Sequence, residues 1–175
     1  MSVPPHSAAG SKGPCRVGIG FDAHRFAEGR RLVLGGVEVP FPLGLSGHSD
    51  ADVLVHAVID ALLGAAGAGD IGTHFPDDDP RWRGASSLLL LEETVRIARR
   101  AGWRPYNCDA VVVCDRPRLS PHVARMKANV ARALGVPEGM VNVKATTTEG
   151  MGFTGRGEGV AAYAVVMVQS GEDDP

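Results

Sequence analysis

Between residues 16 and 21 apolar side chains alternate with glycine, as Val17-Gly18-Ile19-Gly20-Phe21, and this two-residue period predicts an extended strand. A second extended segment is expected over 32–39, after a polar stretch containing Glu28-Gly29-Arg30-Arg31, and Pro40 and Pro42 then interrupt it. The period then changes. Val53, Leu54, Ala57, Val58, Ala61 and Leu62 recur at helical spacing, with Ser49 and Asp52 placed as a capping box and Gly67 and Gly69 as the stop. Residues 70–80 have no period and carry four carboxylates, which marks a loop. Further on, the pattern predicts an amphipathic helix over 86–101, stopped by Gly102, and a wholly apolar strand over 110–114, central in its sheet. A third helix runs from Ser120-Pro121 to Leu134-Gly135, and final strands over 141–145 and 160–168 flank a glycine-rich loop. There is no internal repeat. This order of elements gives the α/β class, an α+β sandwich in which a mixed β-sheet is covered by helices, as a single domain.

A chain of 175 residues that is 44% apolar can bury one sizeable core. Residues 1–14, rich in Pro, Ser, Gly and Ala, are expected to form a disordered tail, with the domain over 15–169 and a flexible C-terminal tail over 170–175. Net charge is −2, and Arg and Asp are scattered rather than blocked, which argues against nucleic acid as a partner. No apolar run approaches the roughly 20 residues that cross a bilayer, so a soluble protein is expected. Cys15, Cys108 and Cys114 are odd in number and lack close pairing, which fits a reducing cytoplasm without disulfides.

Asp22 and His24, two apart at the end of the first strand, project from one side of the chain, and His56 lies on the helix that follows. One carboxylate and two imidazoles are a ligand count that leaves a tetrahedral ion one position for water or a substrate oxygen. Zinc suits the set, and manganese or iron(II) also fits, since non-haem iron oxygenases use the same ligand types. Asp52, His56 and Asp60 fall four apart along one helical stripe, so either aspartate is placed to orient the imidazole. A second concentration of chemistry runs over 144–159. Its glycines admit close backbone approach, its hydroxyls and Lys144 and Arg156 suit phosphate, and Glu149 suits a hard cation such as magnesium. Taken alone, this stretch also reads as a flexible hairpin loop, and the whole set also suits a non-catalytic nucleotide sensor. Asp70, Asp77 and Asp79 suit polyol hydroxyls or plain solvation. The segment from Arg116 to Pro121 suits a nucleotide pocket or a simple turn, and Trp82 and Trp103 are read as packing.

Taken together, Gly20-Phe21-Asp22-Ala23-His24, Gly47-His48-Ser49-Asp50-Ala51-Asp52 with His56, Gly69-Asp70-Ile71-Gly72 with His74-Phe75-Pro76-Asp77, and the run over 145–159 closely resemble the 2-C-methyl-D-erythritol 2,4-cyclodiphosphate synthase family. The resemblance covers about residues 16–168. It implies a homotrimer with active sites between subunits, zinc on Asp22, His24 and His56, and magnesium or manganese near Glu149. It also implies a cytidine diphosphate substrate, 4-diphosphocytidyl-2-C-methyl-D-erythritol 2-phosphate, cyclised with release of CMP. By the same carry-over His48 and Thr147 are the catalytic pair that position the reacting phosphates. Ser49, Asp70, Ile71, Gly72, Phe75, Pro76, Asp77, Asp78 and Asp79 surround the methylerythritol. Cys114, Asp115, Arg116, Pro117, Arg118, Leu119 and Ser120 form the cytidine pocket. Thr146, Thr147, Thr148, Glu149, Phe153 and Arg156 border the phosphates or the trimer axis. The chain departs from the family pattern at Asp78, where a small hydroxyl residue is usual, and at Ser86-Ser87, where Asp-Ser is usual.

Overall fold

Two glycines decide which side of the first strand turns inward. The structure, a computed structural model, describes residues 14–76, 78–82 and 84–171. In strand β1 (Cys15–Ala27), a Cβ on Gly18 would stand 2.1 Å from the carbonyl oxygen of Ala61, and one on Gly20 2.0 Å from that of Ala57. Both oxygens belong to helix α1 (Val53–Ala66), so helix and strand backbones lie in direct contact where the glycines are. The large apolar residues of the alternation therefore face away from the helix: Val17 is 63% and Ile19 72% exposed. Continuing the same two-residue period carries Asp22 and His24 onto the helix-covered side.

The chain next forms a hairpin of β2 (Leu32–Leu34) and β3 (Val37–Val39), then β4 (Gly44–Leu45) and α1. The one-turn helix α2 (Ile71–His74) follows, then α3 (Ser87–Arg100), β5 (Trp103–Val113) and α4 (Val123–Leu134). Strand β6 (Val141–Thr146), the short helix α5 (Gly152–Gly155) and β7 (Gly159–Ser170) complete it. The main sheet has the order β4-β1-β7-β5-β6 and is antiparallel except for β5 and β6, which α4 joins by a parallel crossover. Leu54, Ile59, Leu62, Leu91, Met126 and Leu134 fill the core between sheet and helices. The opposite face of the sheet exposes Val17, Ile19, Phe21, Tyr163 and Val165. Among the described residues, no helix is long and apolar enough to cross a membrane.

Several elements differ from the sequence reading. The extended segment over 32–39 is a hairpin, because Gly35 and Gly36 both have positive φ (56° and 66°), as a tight two-residue turn requires. Helix α1 is capped by Asp52, whose carboxylate accepts from Val55 N, and not by Ser49. The stretch over 70–80 is not all loop, since Asp70 caps α2 through Thr73 N. Ser86 occupies the cap position of α3 without a side-chain hydrogen bond, and Asp50 accepts the Ser87 N–H in its place. Helix α4 starts at Val123, after Ser120 and Pro121 have made a turn. Strand β5 has partners on both edges, yet β7 is the middle strand and only alternate β5 residues such as Cys108, Ala110 and Val112 are buried. The final strand extends through Ser170. The expected tails fall largely on 1–13 and 172–175, outside the described residues.

Asp52 ties the hairpin to the helix. Its fully buried carboxylate accepts from Gly35 N at 2.9 Å and Gly36 N at 2.7 Å as well as from Val55 N. Burial pushes this carboxyl up to about 6, against the pull of those three N–H donors, and the charge of Asp50 adds to the rise. Between its ordinary value of 3.8 and about 6 the folded chain therefore keeps a proton that the unfolded chain has released. The stabilising contribution is complete below 3.8 and is lost as pH rises through about 6. Denaturant unfolding from pH 4 to 7 should show a decline that Asp52→Asn flattens by on the order of 3 kcal/mol; identical slopes in the two proteins would refute it.

Candidate metal and substrate site

Asp22 and His24 come from the inner face of β1, and His56 comes from the first turns of α1, one residue before the Ala57 that rests on Gly20. Close strand–helix packing therefore sets the spacing of the three side chains. Asp22 Oδ2 lies 2.9 Å from His24 Nε2 and 3.0 Å from His56 Nδ1, and the two ring nitrogens are 3.1 Å apart. These are the only such candidate metal-ligand cluster of His, Cys, Asp or Glu among the described residues. Corners of a triangle with edges of about 3 Å lie about 1.7 Å from its centre, inside the roughly 2.0–2.1 Å zinc–ligand length, so one ion reaches all three. The donor set thus fits a divalent ion of the zinc type.

Electrostatics agree with that fit. Burial opposes ionisation of Asp22, but hydrogen bonds from His24 and His56 outweigh it and hold the carboxyl well below the usual carboxylate range. For His56 burial favours the neutral ring, while the Asp22 carboxylate together with the charges of Asp52 and Asp50 pulls the other way and leaves the net direction upward. Asp52 and Asp60, expected to orient the imidazole, do not reach it. Asp52 serves the hairpin, and Asp60 accepts from Ile71 N at 2.8 Å, anchoring α2. His56 Nε2 instead meets two hydroxyls, Ser87 Oγ at 2.9 Å and Ser49 Oγ at 3.2 Å.

The triad forms one wall of a cavity of about 340 Å³. His48, Ser49, Ile71, Gly72, Phe75 and Pro76, all expected site residues, line it too. His48 Nε2 is buried there without a hydrogen-bond partner among the described residues. Sequence reasoning missed Trp82, which lines the cavity and meets Phe75 edge-on at 5.1 Å between ring centroids. It also missed Arg30, whose guanidinium donates to the carbonyls of Gly47 at 2.7 Å and Ser49 at 2.6 Å and so pins the loop that carries His48. No periodic signal marks either residue. Asp70 is engaged with Thr73, Asp79 pairs with Arg81, and Asp78 is exposed, so none of these carboxylates lines the cavity. Asp77 lies outside the described residues.

The other expected residues gather elsewhere. Asp115 accepts from Thr148 N at 2.9 Å and Gly150 N at 3.0 Å, clamping the loop after β5 to the loop after β6. This joins the 114–120 segment to Thr146, Thr147, Thr148 and Glu149. Cys114 is buried, which pushes its thiol up to about 11, and its sulfur faces the Pro117 carbonyl. The Arg116–Pro117 peptide is cis, and Arg118 donates to Ser120 Oγ, while Leu119 is buried. Glu149 holds a positive φ of 53° and accepts from Thr147 Oγ1 at 2.5 Å. Phe153 borders a small groove beside His24, and Arg156 pairs with Glu158. Thr146 and Ala23 stand in one row across the sheet, through Val113 and Ala161, but three strand spacings, about 14 Å, separate them. Within one chain the Asp22–His24–His56 cluster and the loops after β5 and β6 share an end of the sheet without meeting.

Comparison with known proteins follows the same lines. The YgbB family model matches residues 15–169. A 2-C-methyl-D-erythritol 2,4-cyclodiphosphate synthase from Syntrophobacter fumaroxidans is 63% identical over 155 residues, covering 89% of this chain and 98% of its own. Its counterpart in Syntrophomonas wolfei is 59% identical, over 88% of this chain and 98% of that one. Among solved structures, a CDP-bound 2C-methyl-D-erythritol-2,4-cyclodiphosphate synthase superposes with a TM-score of 0.80 at 40% identity, covering 87% of this chain and 99% of that one. The bifunctional IspDF from Campylobacter jejuni gives 0.87 at 42% identity over 91% of this chain, which spans 43% of that longer protein.

Proposed function

The chain belongs to the YgbB family, and from that membership we propose that the Asp22–His24–His56 cavity is the seat of its intramolecular phosphoryl transfer. The reaction converts 4-diphosphocytidyl-2-C-methyl-D-erythritol 2-phosphate to 2-C-methyl-D-erythritol 2,4-cyclodiphosphate and CMP, in non-mevalonate isoprenoid biosynthesis. The enzyme is a CMP-forming phosphorus-oxygen lyase. What carries the placement of the chemistry is the trio of ligand atoms within 3.1 Å of one another at a cavity wall.

An oxygen of the 2-phosphate forms a bond to the β-phosphorus, and the bond from that phosphorus to the bridging oxygen breaks, so CMP leaves with the electron pair. The nucleophile is already an anion and the leaving group is a stable one, so neither a strong base nor a strong acid is needed. What remains is repulsion between phosphates and the entropy of folding a flexible substrate, which rigid donors and cations address. When bound, zinc at Asp22, His24 and His56 and magnesium or manganese at Glu149 neutralise phosphate charge as Lewis acids. His48 offers its unpartnered Nε2 to a phosphate oxygen, and Thr147 positions phosphate from the loop after β6. Ser49, Ile71, Gly72, Phe75 and Pro76 enclose the methylerythritol carbons, and Asp70, Asp78 and Asp79 serve its hydroxyls. Residues 114–120 take the cytidine, and Thr146, Thr148, Phe153 and Arg156 border the phosphates or the assembly axis.

A homotrimer with sites between subunits accounts for two features together. The loops on opposite sides of one sheet become neighbours across an interface, and the exposed apolar residues Val17, Ile19, Phe21, Tyr163 and Val165 gain a cover. Sedimentation equilibrium should give about three times the 18.3 kDa chain mass, and an active monomer would refute this arrangement. The unpaired cysteines support a cytoplasmic setting. The function is tested by CMP release from the diphosphocytidyl substrate, which should stop on chelation and return with divalent metal; metal-independent release would remove the triad from the chemistry. Glu149→Gln should keep zinc while raising the magnesium needed for half-maximal rate about tenfold or more, the effect of losing about 1.4 kcal/mol of cation binding. An unchanged magnesium response would take Glu149 out of the second site.

A further inference from the structure

His56 presents its two ring nitrogens to different surroundings. Nδ1 faces Asp22 Oδ2 at 3.0 Å and His24 Nε2 at 3.1 Å, whereas Nε2 faces Ser87 Oγ at 2.9 Å. A neutral imidazole carries one N–H, and the nitrogen that ligates a metal must be the bare one. With a metal in place, which nitrogen keeps the N–H depends on the hydrogen that Ser87 holds.

Ser87 has a single hydroxyl hydrogen, and its Oγ lies in a very short contact with Asp50 Oδ1. A carboxylate only accepts, so that hydrogen goes to Asp50. The other Asp50 oxygen accepts the Ser87 backbone N–H at 3.0 Å, which holds carboxylate and serine together at two points. Ser87 Oγ is therefore left to accept from His56, and the N–H must be on Nε2. Ser87 is completely buried, so water does not offer an alternative partner on that side. Ser49 Oγ, 3.2 Å from the same nitrogen, already accepts from Ala51 N, and accepting from His56 as well is compatible with that role.

We propose that Ser87, backed by the Asp50 carboxylate, is a positioning residue that holds the Nε2–H of His56 and so presents Nδ1 to the metal. This rests on the triad being the metal site. It adds a directed chain, carboxylate to hydroxyl to imidazole, that orients the ring and strengthens the ligand nitrogen. Neither aspartate of the helical stripe supplies that function; a residue at the first turn of α3 does.

The structure also predicts an asymmetry between two substitutions. In Ser87→Ala the Nε2–H loses its main acceptor, so zinc binds about 10–100-fold more weakly, the usual loss when a supporting hydrogen bond is removed. In Asp50→Asn, an amide that keeps its oxygen on the Ser87 N–H turns its NH₂ towards Ser87 Oγ. The serine hydrogen is then redirected to His56 Nε2, which favours the Nδ1–H tautomer and sets the proton on the ligating atom.

The test is nitrogen-15 NMR of histidine-labelled, zinc-loaded protein, with zinc affinity measured by competition with a chromophoric chelator. With zinc bound, wild-type His56 should ligate through Nδ1 and carry its N–H on Nε2, and Asp50→Asn should move the N–H towards Nδ1 with weaker zinc binding. An N–H on Nδ1 with Nε2 ligating in zinc-loaded wild-type protein would overturn the proposal and leave the metal site standing. Zinc affinities within about twofold of wild type in both variants would overturn it as well, since a supporting bond is worth more than that. The wild-type spectrum decides the matter even where a variant fails to fold. Failure of wild type to bind zinc at all would instead strike at the triad.

Discussion

Turnover of the His56→Ala protein should fall by about a thousandfold or more, and bound zinc should be lost with it. The estimate follows from the role of the metal: Lewis-acid stabilisation of phosphoryl charge is worth several kcal/mol, and about 4 kcal/mol corresponds to about three powers of ten in rate. The substitution removes one of three ligand atoms and also one of the two imidazoles that hold Asp22 ionised against its burial. The remaining pair loses both a donor and part of the electrostatic basis for attracting a cation. The ring is only part-buried at the cavity wall, so the fold should survive. Metal content by mass spectrometry and CMP release on the same sample check the result. Substantial turnover in zinc-free His56→Ala would separate the triad from catalysis.

Gly20→Ala should damage the site without touching any ligand atom. Its new Cβ would lie 2.0 Å from Ala57 O and 2.7 Å from Ala61 N, both backbone atoms of α1 that cannot swing aside as a side chain would. Either the helix lifts or the strand bows, and both movements separate His56 from Asp22 and His24. Overpacking commonly costs about 1–3 kcal/mol, and clashes with backbone belong at or above the top of that range. The reduced freedom of alanine in the unfolded chain offsets only about 0.4–1 kcal/mol. A net loss of about 3 kcal/mol should lower Tm by roughly 6–12 °C in a chain of this size. Thermal unfolding at matched chain concentration, paired with a zinc titration, reads both consequences. A shift under about 2 °C with unchanged zinc affinity would mean that the contact of β1 with α1 does not set the triad.

The convergence of Asp22, His24 and His56 was legible because each depends on a local period. Alternation along β1 put Asp22 and His24 on one side, and helical spacing put His56 on the stripe that faces them. Alternation alone did not say which face is covered, and it is the glycine face, not the one with valine and isoleucine. That choice makes sense once the helix backbone is seen to sit on the strand. A stripe also says which residues share a face and not whom they bind. Asp52 and Asp60 share the face of His56, yet they serve the hairpin turn and α2 through backbone N–H groups far along the chain. The split of 32–39 into a hairpin was available from the Gly35-Gly36 pair between apolar alternations. The shifted starts of α1 and α4 were less accessible, since several hydroxyls and carboxylates near each start compete for one cap. Trp82, Arg30 and Ser87 reach the site by long-range packing, which leaves no pattern within their own segments.

The central claim is that a substrate phosphate, and not water, attacks the diphosphate. Phosphorus NMR of purified protein with the diphosphocytidyl substrate and magnesium follows that choice directly. The phosphomonoester signal should disappear and be replaced by two coupled resonances of a cyclic diphosphate, with one CMP released per cyclic product. Release of CMP with a persistent phosphomonoester signal, from an open-chain product made by hydrolysis, would contradict it.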